Sequence, residues 1–177
     1  MKYYKKLDLE FETVAKKTLA YVIANKDNVK SFWTNVNFEE FSIHVPEIKT
    51  MFAPLNITPI RVSIVATINE VAIHRDNHIE GNIPTPKARI NIPILNCHES
   101  ETRFWSTTAE PKLVFLDNGT PYLYLETADC KLEDVLQLDR ATVLRVIEPH
   151  SVHPGPKSPR VSLTIQFKED IEYLLND

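Results

Sequence analysis

RVSLTIQF, residues 160–167, is the clearest strand signal in the chain, because two classes of side chain alternate along it. The apolar residues are Val161, Leu163, Ile165 and Phe167, and the polar residues between them are Arg160, Ser162, Thr164 and Gln166. Successive side chains of a β-strand point to opposite faces, so the segment predicts a strand with one apolar and one polar face. The polar face of such a strand either meets solvent or lines a cavity.

Seven similar segments, short and rich in apolar and β-branched residues, precede this strand and are separated by turn residues. They are IRVSIVATI (60–68), EVAIH (70–74), RINIPIL (89–95), TRFWST (102–107), KLVFL (112–116), PYLYLE (121–126) and TVLRVIE (142–148). Asn118-Gly119, between KLVFL and PYLYLE, is a strong signal for a two-residue hairpin turn. Short strands at this spacing predict a double-sheet barrel or jelly roll.

The two ends of the chain are expected to add helices to this β-structure. A short strand is predicted within 3–9, an amphipathic helix over 12–24, a loop over 28–37 and a second short helix over 45–52, where Pro46 suits the first turn. We therefore expect one domain, 1–177, mainly β with flanking helices (α+β). It comprises helical N-terminal decoration (1–56), a jelly-roll core (57–167) and a C-terminal helix (168–177).

Composition and charge exclude several classes of protein. The three glycines, Gly81, Gly119 and Gly155, are too far apart to form a phosphate-binding glycine-rich loop. The net charge of -4 argues against a nucleic-acid partner or an anionic membrane. No segment is long and apolar enough to span a membrane, and MKYYKKLDLEFE (1–12) lacks the apolar region of a signal peptide, so a cytoplasmic location is expected. Cys97 and Cys130 belong to no C-x-x-C pair and are expected to be free thiols, with a single disulfide as the alternative.

Two segments carry residues suited to metal chemistry. His74 ends the segment EVAIH, and Asp76 lies two residues on, so both side chains can point to the same side of a strand end. His150 follows TVLRVIE and is expected to end that strand. Two imidazoles and one carboxylate form the facial triad associated with non-haem Fe(II) oxygenases.

An arginine and a serine follow the distal histidine. Arg160 lies ten residues after His150, and Ser162 shares its strand face. Arginine pairs with a carboxylate through two parallel hydrogen bonds, and a serine hydroxyl supplies a further donor. His153 is the rival for the distal ligand, but its turn, HPGPK, favours His150.

Taken together, H-x-D, a distal His and Arg-x-Ser resemble the Fe(II)/2-oxoglutarate-dependent oxygenase superfamily. The resemblance covers residues 57–167. It implies a double-stranded β-helix with Fe(II) held by His74, Asp76 and His150. It also implies that Arg160 and Ser162 bind the far carboxylate of 2-oxoglutarate, and that the chain is a dioxygenase, with hydroxylation as the default reaction.

A narrower resemblance, to the aspartyl/asparaginyl β-hydroxylase branch, comes from ARINIPILNC (88–97) and the PHSVHP segment. That branch has an Arg-x-His pair on the strand after the first metal ligand. Here the corresponding residues are Arg89 and Asn91, so Asn91 replaces the histidine. The resemblance implies that both residues help to bind the cosubstrate or the substrate, and that the substrate is a peptide or amino-acid side chain; for Arg89, a surface position at the start of a strand is the alternative.

Several alternatives remain open from the sequence. A cupin-like metalloenzyme that does not use 2-oxoglutarate is one, although no H-x-H pair is present; a non-catalytic jelly-roll binding module is another. A small-molecule substrate is as compatible with the residues as a peptide. Segment 77–88 is either an ordinary surface loop or a lid over the site. Tyr122 and Tyr124 are expected in the barrel wall, and the oligomeric state is not encoded in any motif.

Overall fold

The computed structural model describes residues 2–28, 32–76, 86–115 and 121–176. Within these residues the strands are β1 (Tyr4–Lys6), β2 (Phe32–Val36), β3 (Pro59–Thr67), β4 (Val71–Arg75), β5 (Ala88–Leu95), β6 (Glu101–Ser106), β7 (Lys112–Phe115), β8 (Pro121–Tyr124), β9 (Lys131–Leu136), β10 (Thr142–Arg145), β11 (His150–His153) and β12 (Arg160–Phe167). The α-helices are α1 (Glu12–Ala24) and α2 (Phe38–His44), and 3-10 helices lie at Pro46–Lys49, Ala53–Leu55, Thr127–Asp129 and Glu172–Leu175. Within the same residues, no helix has the length and apolar character that crossing a membrane requires.

The strands form two six-stranded antiparallel sheets. The first sheet has the order β1-β10-β5-β12-β3-β2, and the second has the order β7-β8-β4-β11-β6-β9. Each consecutive step between neighbouring strands is antiparallel. The two sheets face each other across a cavity, which makes the fold a jelly roll, or double-stranded β-helix, with helices on one side. The predicted fold class is confirmed.

The hydrophobic core lies on the outer face of the first sheet, where α1 and α2 pack. Leu163 and Ile165 of β12 are fully buried there together with Phe41 of α2 and Phe52. Leu163 and Ile165 are two of the apolar positions of the alternating segment 160–167. Burial of apolar side chains between the helices and the sheet is the main stabilising contribution to such a fold.

The inner face of the first sheet carries the polar positions of the same strand. Arg160 lies opposite Thr67 of β3, and Thr164 lies opposite Asn91 of β5. Together with Ser162, these four residues line a cavity of about 470 Å³ between the two sheets. Of the two interpretations of the polar face, the cavity is therefore the correct one.

Three strands, β2, β9 and β11, lie where none was predicted. The loop predicted over 28–37 is wrong because β2 pairs with β3 at the edge of the first sheet. Strand β9 was missed because five of its six residues are exposed and three of them are charged, so it lacks an apolar run. Exposed, charged edge strands protect a sheet from pairing with other chains, and their sequences are correspondingly weak strand signals.

Three predicted boundaries also change. The helix expected over 45–52 is a 3-10 helix at Pro46–Lys49, with Pro46 in its first turn. The α-helix α2 precedes it and was not predicted; Asn37 caps α2 by accepting a hydrogen bond of 3.1 Å from the Glu40 amide. The helix expected over 168–177 is one 3-10 helix at Glu172–Leu175. The strand expected over 142–148 ends at Arg145, and His150 begins a new strand in the opposite sheet rather than ending the old one.

The predicted hairpin pairing between KLVFL and PYLYLE is present, since β7 pairs with β8. Its Asn118-Gly119 turn lies outside the described residues, as do residues 77–85 of the predicted loop or lid and His78 within it. Cys97 and Cys130 are both free thiols, as predicted.

Candidate metal centre

Two neighbouring strands of the second sheet bring together the three residues that the sequence singled out. His74 on β4 lies directly opposite His150 on β11. Asp76 follows β4, and its amide donates a 3.0 Å hydrogen bond to the Val146 carbonyl oxygen, which fixes the backbone at that point. All three side chains line the cavity. The strand pairing therefore places the residues of two distant segments on one wall.

The three candidate ligand atoms form a compact group. Asp76 Oδ1 lies 3.6 Å from His74 Nε2 and 3.7 Å from His150 Nε2. All three atoms lie within 4.8 Å of one another. The side chains of both histidines are 10% exposed and that of Asp76 is 9% exposed, so bulk water has little access to them. One metal ion can contact all three atoms.

Backbone hydrogen bonds fix the orientation of both imidazoles. His74 Nδ1 lies 2.9 Å from the Ala72 carbonyl oxygen, and His150 Nδ1 lies 2.9 Å from the Glu148 carbonyl oxygen. A carbonyl oxygen only accepts hydrogen bonds, so each Nδ1 carries a proton, and in the neutral ring Nε2 carries a lone pair. Both lone pairs face a carboxylate oxygen. A cation between them relieves that repulsion, so the donor set fits a divalent metal.

Arg160 is the second feature of the cavity. It is 2% exposed, its Nε donates to Ser100 Oγ at 2.9 Å, and its Nη1 donates to Ser162 Oγ at 3.3 Å. Burial lowers the pKa of the guanidinium, with Cys97 acting in the opposite direction, but arginine keeps its charge in proteins. Arg160 forms no ion pair with a carboxylate in the described part of the chain. A buried cation without a counterion is costly, so this position is suited to an anionic ligand.

Two further polar atoms in the cavity lack partners. Thr67 Oγ1 and Asn91 Oδ1 are buried and have no hydrogen-bond partner among the described residues. Both residues line the cavity on the same sheet as Arg160. Buried polar groups in proteins are normally satisfied, so these two atoms indicate a place where a ligand or water supplies the missing hydrogen bonds.

Arg89 lies beside the candidate metal ligand Asp76. Its Nε lies 3.5 Å from Asp76 Oδ2, and its Cζ lies 5.2 Å from the centroid of the Trp33 ring. The side chain is 3% exposed. Arg89 and Asn91 share the inner face of β5, as the alternation predicted, but Arg89 contacts the candidate metal ligand.

The remaining candidates are near the site or outside it. His153 is on β11, with Nδ1 2.9 Å from Glu70 Oε1 and Nε2 3.0 Å from Ser151 Oγ, so it is not part of the cluster. Tyr122 packs edge-on against His74, with ring centroids 5.9 Å apart, whereas the Tyr124 hydroxyl donates to Glu126 at 2.9 Å.

Three residues of the site had no signal in the sequence. Ser100 lies in a turn far along the chain from Arg160, Thr67 ends a strand whose polar positions were not singled out, and Trp33 lies in the segment predicted as loop. Their roles depend on strand register between distant segments. A single sequence does not report such register.

The fold and the site define a class: a jelly roll with a buried two-histidine, one-carboxylate cluster at one wall of an internal cavity. No family model matches the chain, and no curated protein matches it. Solved structures do match, and they are similar across nearly the whole chain.

One similar structure is AviO1 from Streptomyces viridochromogenes Tue57, with 12% identity, a TM-score of 0.55, and coverage of 96% of this chain and 91% of that one. A second is the epimerase SnoN in complex with Fe3+, alpha ketoglutarate and nogalamycin RO, with 12% identity, a TM-score of 0.58, and coverage of 99% and 85%. A third is SnoN described as the non-heme alpha ketoglutarate dependent epimerase from nogalamycin biosynthesis, with 10% identity, a TM-score of 0.51, and coverage of 99% and 84%. At these identities the likeness establishes a shared fold.

Proposed function

We propose that this protein is an Fe(II)- and 2-oxoglutarate-dependent dioxygenase. The observation that carries the proposal is one cavity with two complementary features. On one wall, Asp76 Oδ1 faces the Nε2 atoms of His74 and His150 at 3.6 and 3.7 Å. On the opposite sheet, the buried Arg160 has two serine contacts and no carboxylate among the described residues. A metal site beside a site for an anion is what this cosubstrate requires.

The metal ligands in this proposal are His74, Asp76 and His150. The carbonyl oxygens of Ala72 and Glu148 hold the two rings so that Nε2 is the donor atom in each. Hydrogen bonds to the second nitrogen of a ligating histidine fix its tautomer and orientation. These three residues would hold the metal from one side and would leave coordination positions for the cosubstrate and oxygen.

The cosubstrate site in this proposal is centred on Arg160 and Ser162. The guanidinium presents its remaining N–H groups to the far carboxylate of 2-oxoglutarate, and Ser100 holds it in place through Nε. Ser162 Oγ accepts from Nη1, so its own hydroxyl proton is available to the same carboxylate. Asn91, on the same sheet, adds a further polar side chain to the lining of the cavity.

Bound iron and 2-oxoglutarate supply the power to oxidise a C–H bond with molecular oxygen, while the protein positions the partners and excludes water. Hydroxylation is the default product, on a small molecule or on a peptide or amino-acid side chain. Epimerisation is the second candidate, because SnoN, which shares the fold, is described as an epimerase. The aspartyl/asparaginyl hydroxylase branch remains a prediction from the sequence.

Two other classes give different expectations. A cupin-like enzyme without 2-oxoglutarate needs the triad but gives no role to an anion site at Arg160. A non-catalytic jelly roll needs neither the metal cluster nor the anion site. The two histidine Nε2 lone pairs that face the Asp76 carboxylate would then have no function. The combination of both features favours the 2-oxoglutarate-dependent enzyme.

The test is an anaerobic titration of metal-free protein with Fe(II) and 2-oxoglutarate, followed by the weak visible metal-to-ligand charge-transfer band. We expect the band in wild type, no band in His150→Ala, and a band in Arg160→Ala that requires far more 2-oxoglutarate. His153→Ala is the matched control for His150, since it removes a histidine from the same strand. Arg103→Ala, at a surface ion pair with Glu101, is the control for Arg160.

Each failure points to a different class. Iron binding without a band on addition of 2-oxoglutarate would favour the cupin-like enzyme. No iron binding by wild type would leave the non-catalytic jelly roll. A band that His153→Ala abolishes and His150→Ala does not would contradict the ligand assignment.

A further inference from the structure

The two oxygens of the Asp76 carboxylate have different surroundings. Oδ1 faces the two histidine Nε2 atoms, and Oδ2 faces Arg89 Nε at 3.5 Å. The side chains of Asp76 and Arg89 are 9% and 3% exposed. Solvent screening is therefore weak, and this ion pair favours the carboxylate orientation in which Oδ2 faces Arg89.

Arg89 is held on its other side by an aromatic ring. Its guanidinium carbon lies 5.2 Å from the Trp33 ring centroid, within the range of a cation–π contact. The Trp33 indole N–H in turn donates to Asn35 Oδ1 at 2.9 Å, and Ser63 Oγ donates to the same oxygen at 2.8 Å. A chain of contacts thus runs from β3 through β2 to the candidate metal ligand.

Arg89 and Arg160 are both buried arginines on the inner side of the first sheet, but their surroundings differ. Arg89 contacts a carboxylate of the protein itself, whereas Arg160 contacts two serine hydroxyls. A cosubstrate carboxylate is needed to balance Arg160 and is not needed to balance Arg89. The two arginines therefore suit different tasks.

We propose that Arg89 is a positioning residue that holds Asp76 as a one-oxygen metal ligand, and that Trp33 holds Arg89 in the geometry to do so. This inference rests on the proposed function, because it requires a metal at His74, Asp76 and His150. With Oδ2 held by Arg89, only Oδ1 is directed to the metal. Asp76 then occupies one coordination position and leaves the opposite face of the metal open.

Replacing Arg89 either raises or lowers the metal affinity, and the direction of that change distinguishes a positioning role from a purely electrostatic one. A nearby positive charge repels a divalent cation, so a purely electrostatic role for Arg89 predicts tighter metal binding when the charge is removed. A positioning role predicts weaker binding, because the carboxylate loses its orientation. Losing a contact that orients a metal ligand typically lowers metal affinity by about 10- to 100-fold.

The experiment measures Co(II) and Fe(II) affinity by calorimetric titration under anaerobic conditions in wild type, Arg89→Lys, Arg89→Met and Arg103→Met. It also measures the visible spectrum of bound Co(II), which reports coordination number, and the 2-oxoglutarate affinity of metal-loaded protein. Arg89→Lys keeps a charge near Asp76 but loses the planar group that stacks on Trp33, so it tests the geometry even if Arg89→Met does not fold.

We expect both Arg89 variants to bind metal about 10- to 100-fold more weakly, with a changed Co(II) spectrum and an unchanged 2-oxoglutarate affinity once metal is saturating. Trp33→Leu should weaken metal binding by about fivefold, the loss of a cation–π contact of roughly 1 kcal/mol, and Trp33→Phe should do so less. Arg103→Met should match wild type in every measurement.

Two outcomes would overturn the inference. Unchanged or tighter metal binding in Arg89→Lys and Arg89→Met, or a loss confined to 2-oxoglutarate affinity, would overturn the positioning role while leaving the proposed function intact. Absence of metal binding in wild type would overturn both, which makes the two failures distinguishable.

Discussion

The two faces of β12 are equally buried but belong to different environments. On the outer face, Leu163 and Ile165 are 0% exposed and pack among apolar side chains beneath the helices. On the inner face, Arg160 and Ser162 are 2% and 1% exposed, yet they border a cavity of about 470 Å³. One strand therefore separates a packed core from a site.

The difference between the faces is energetic. Apolar burial on the outer face stabilises the folded chain. A buried arginine and a buried hydroxyl that find no carboxylate and no hydrogen-bond partner among the described residues reduce its stability. Proteins commonly retain such unfavourable groups where function requires them. Substitutions on the two faces should therefore affect stability and ligand binding in opposite ways.

The largest effect on stability is expected from Leu163→Ala on the outer face. Removing a fully buried leucine side chain leaves a cavity and typically costs about 2 to 5 kcal/mol of unfolding free energy. Urea denaturation measures it, with Leu163→Met as the conservative control. The 2-oxoglutarate affinity of the fraction that remains folded should be unchanged; a selective loss of that affinity would contradict the separation of the faces.

Arg160→Met on the inner face should produce the opposite pattern. Unfolding free energy of the ligand-free protein should be unchanged or higher, because a buried charge is replaced by an apolar group of similar length. Affinity for 2-oxoglutarate should fall by about 2 to 5 kcal/mol, which is roughly 30-fold or more. The same urea titration and the anaerobic charge-transfer titration measure both. A strongly destabilised variant would mean that Arg160 is structural.

Thr67→Val is a finer test of the inner face. The substitution keeps the shape of the side chain and removes Oγ1, which has no partner in the described part of the chain. The ligand-free protein should gain up to about 1 kcal/mol of stability, because a buried unsatisfied group is removed. Thr67→Ser, which keeps the hydroxyl, is the control. A loss of 1 kcal/mol or more in Thr67→Val would show that the hydroxyl is satisfied.

His153, on β11 but outside the metal cluster, should give the smallest effect. Burial lowers its pKa below the usual value, and repulsion from Arg103 adds to this. The unfolded state therefore takes up a proton more readily than the folded state. This contribution to stability is complete above about pH 6.5 and is lost as the pH falls toward the folded pKa. Thermal unfolding of wild type and His153→Gln between pH 7.5 and 5 measures it, and wild type should lose more stability.

The sequence predicted the features that depend on local alternation. The faces of 160–167, the shared face of Arg89 and Asn91, and the closeness of His74 and Asp76 all follow from a period of two. The edge strands β2 and β9 were missed because half-exposed or fully exposed strands need no apolar run. His150 lies in the cluster with His74 and Asp76, but it begins a strand of the second sheet, whereas the sequence placed it at the end of the strand that belongs to the first sheet.

The contacts between distant segments could not be predicted. Ser100 and Arg160 are 60 residues apart, and their hydrogen bond depends on how the turn before β6 packs against β12. Arg89 shares the inner face with Arg160; the superfamily resemblance implied a cosubstrate role for Arg160, and the narrower resemblance implied a cosubstrate or substrate role for Arg89. The two arginines differ in their contacts because only Arg89 is placed beside Asp76. That placement depends on the order of the strands in the sheets.

The most direct test of the account is a crystal structure of the anaerobic protein with Mn(II) and 2-oxoglutarate, with anomalous scattering used to locate the metal. We expect one Mn(II) bound by His74 Nε2, His150 Nε2 and Asp76 Oδ1, and the far carboxylate of 2-oxoglutarate on Arg160 and Ser162. Metal at another position, or 2-oxoglutarate held away from Arg160 while the metal is bound, would contradict it.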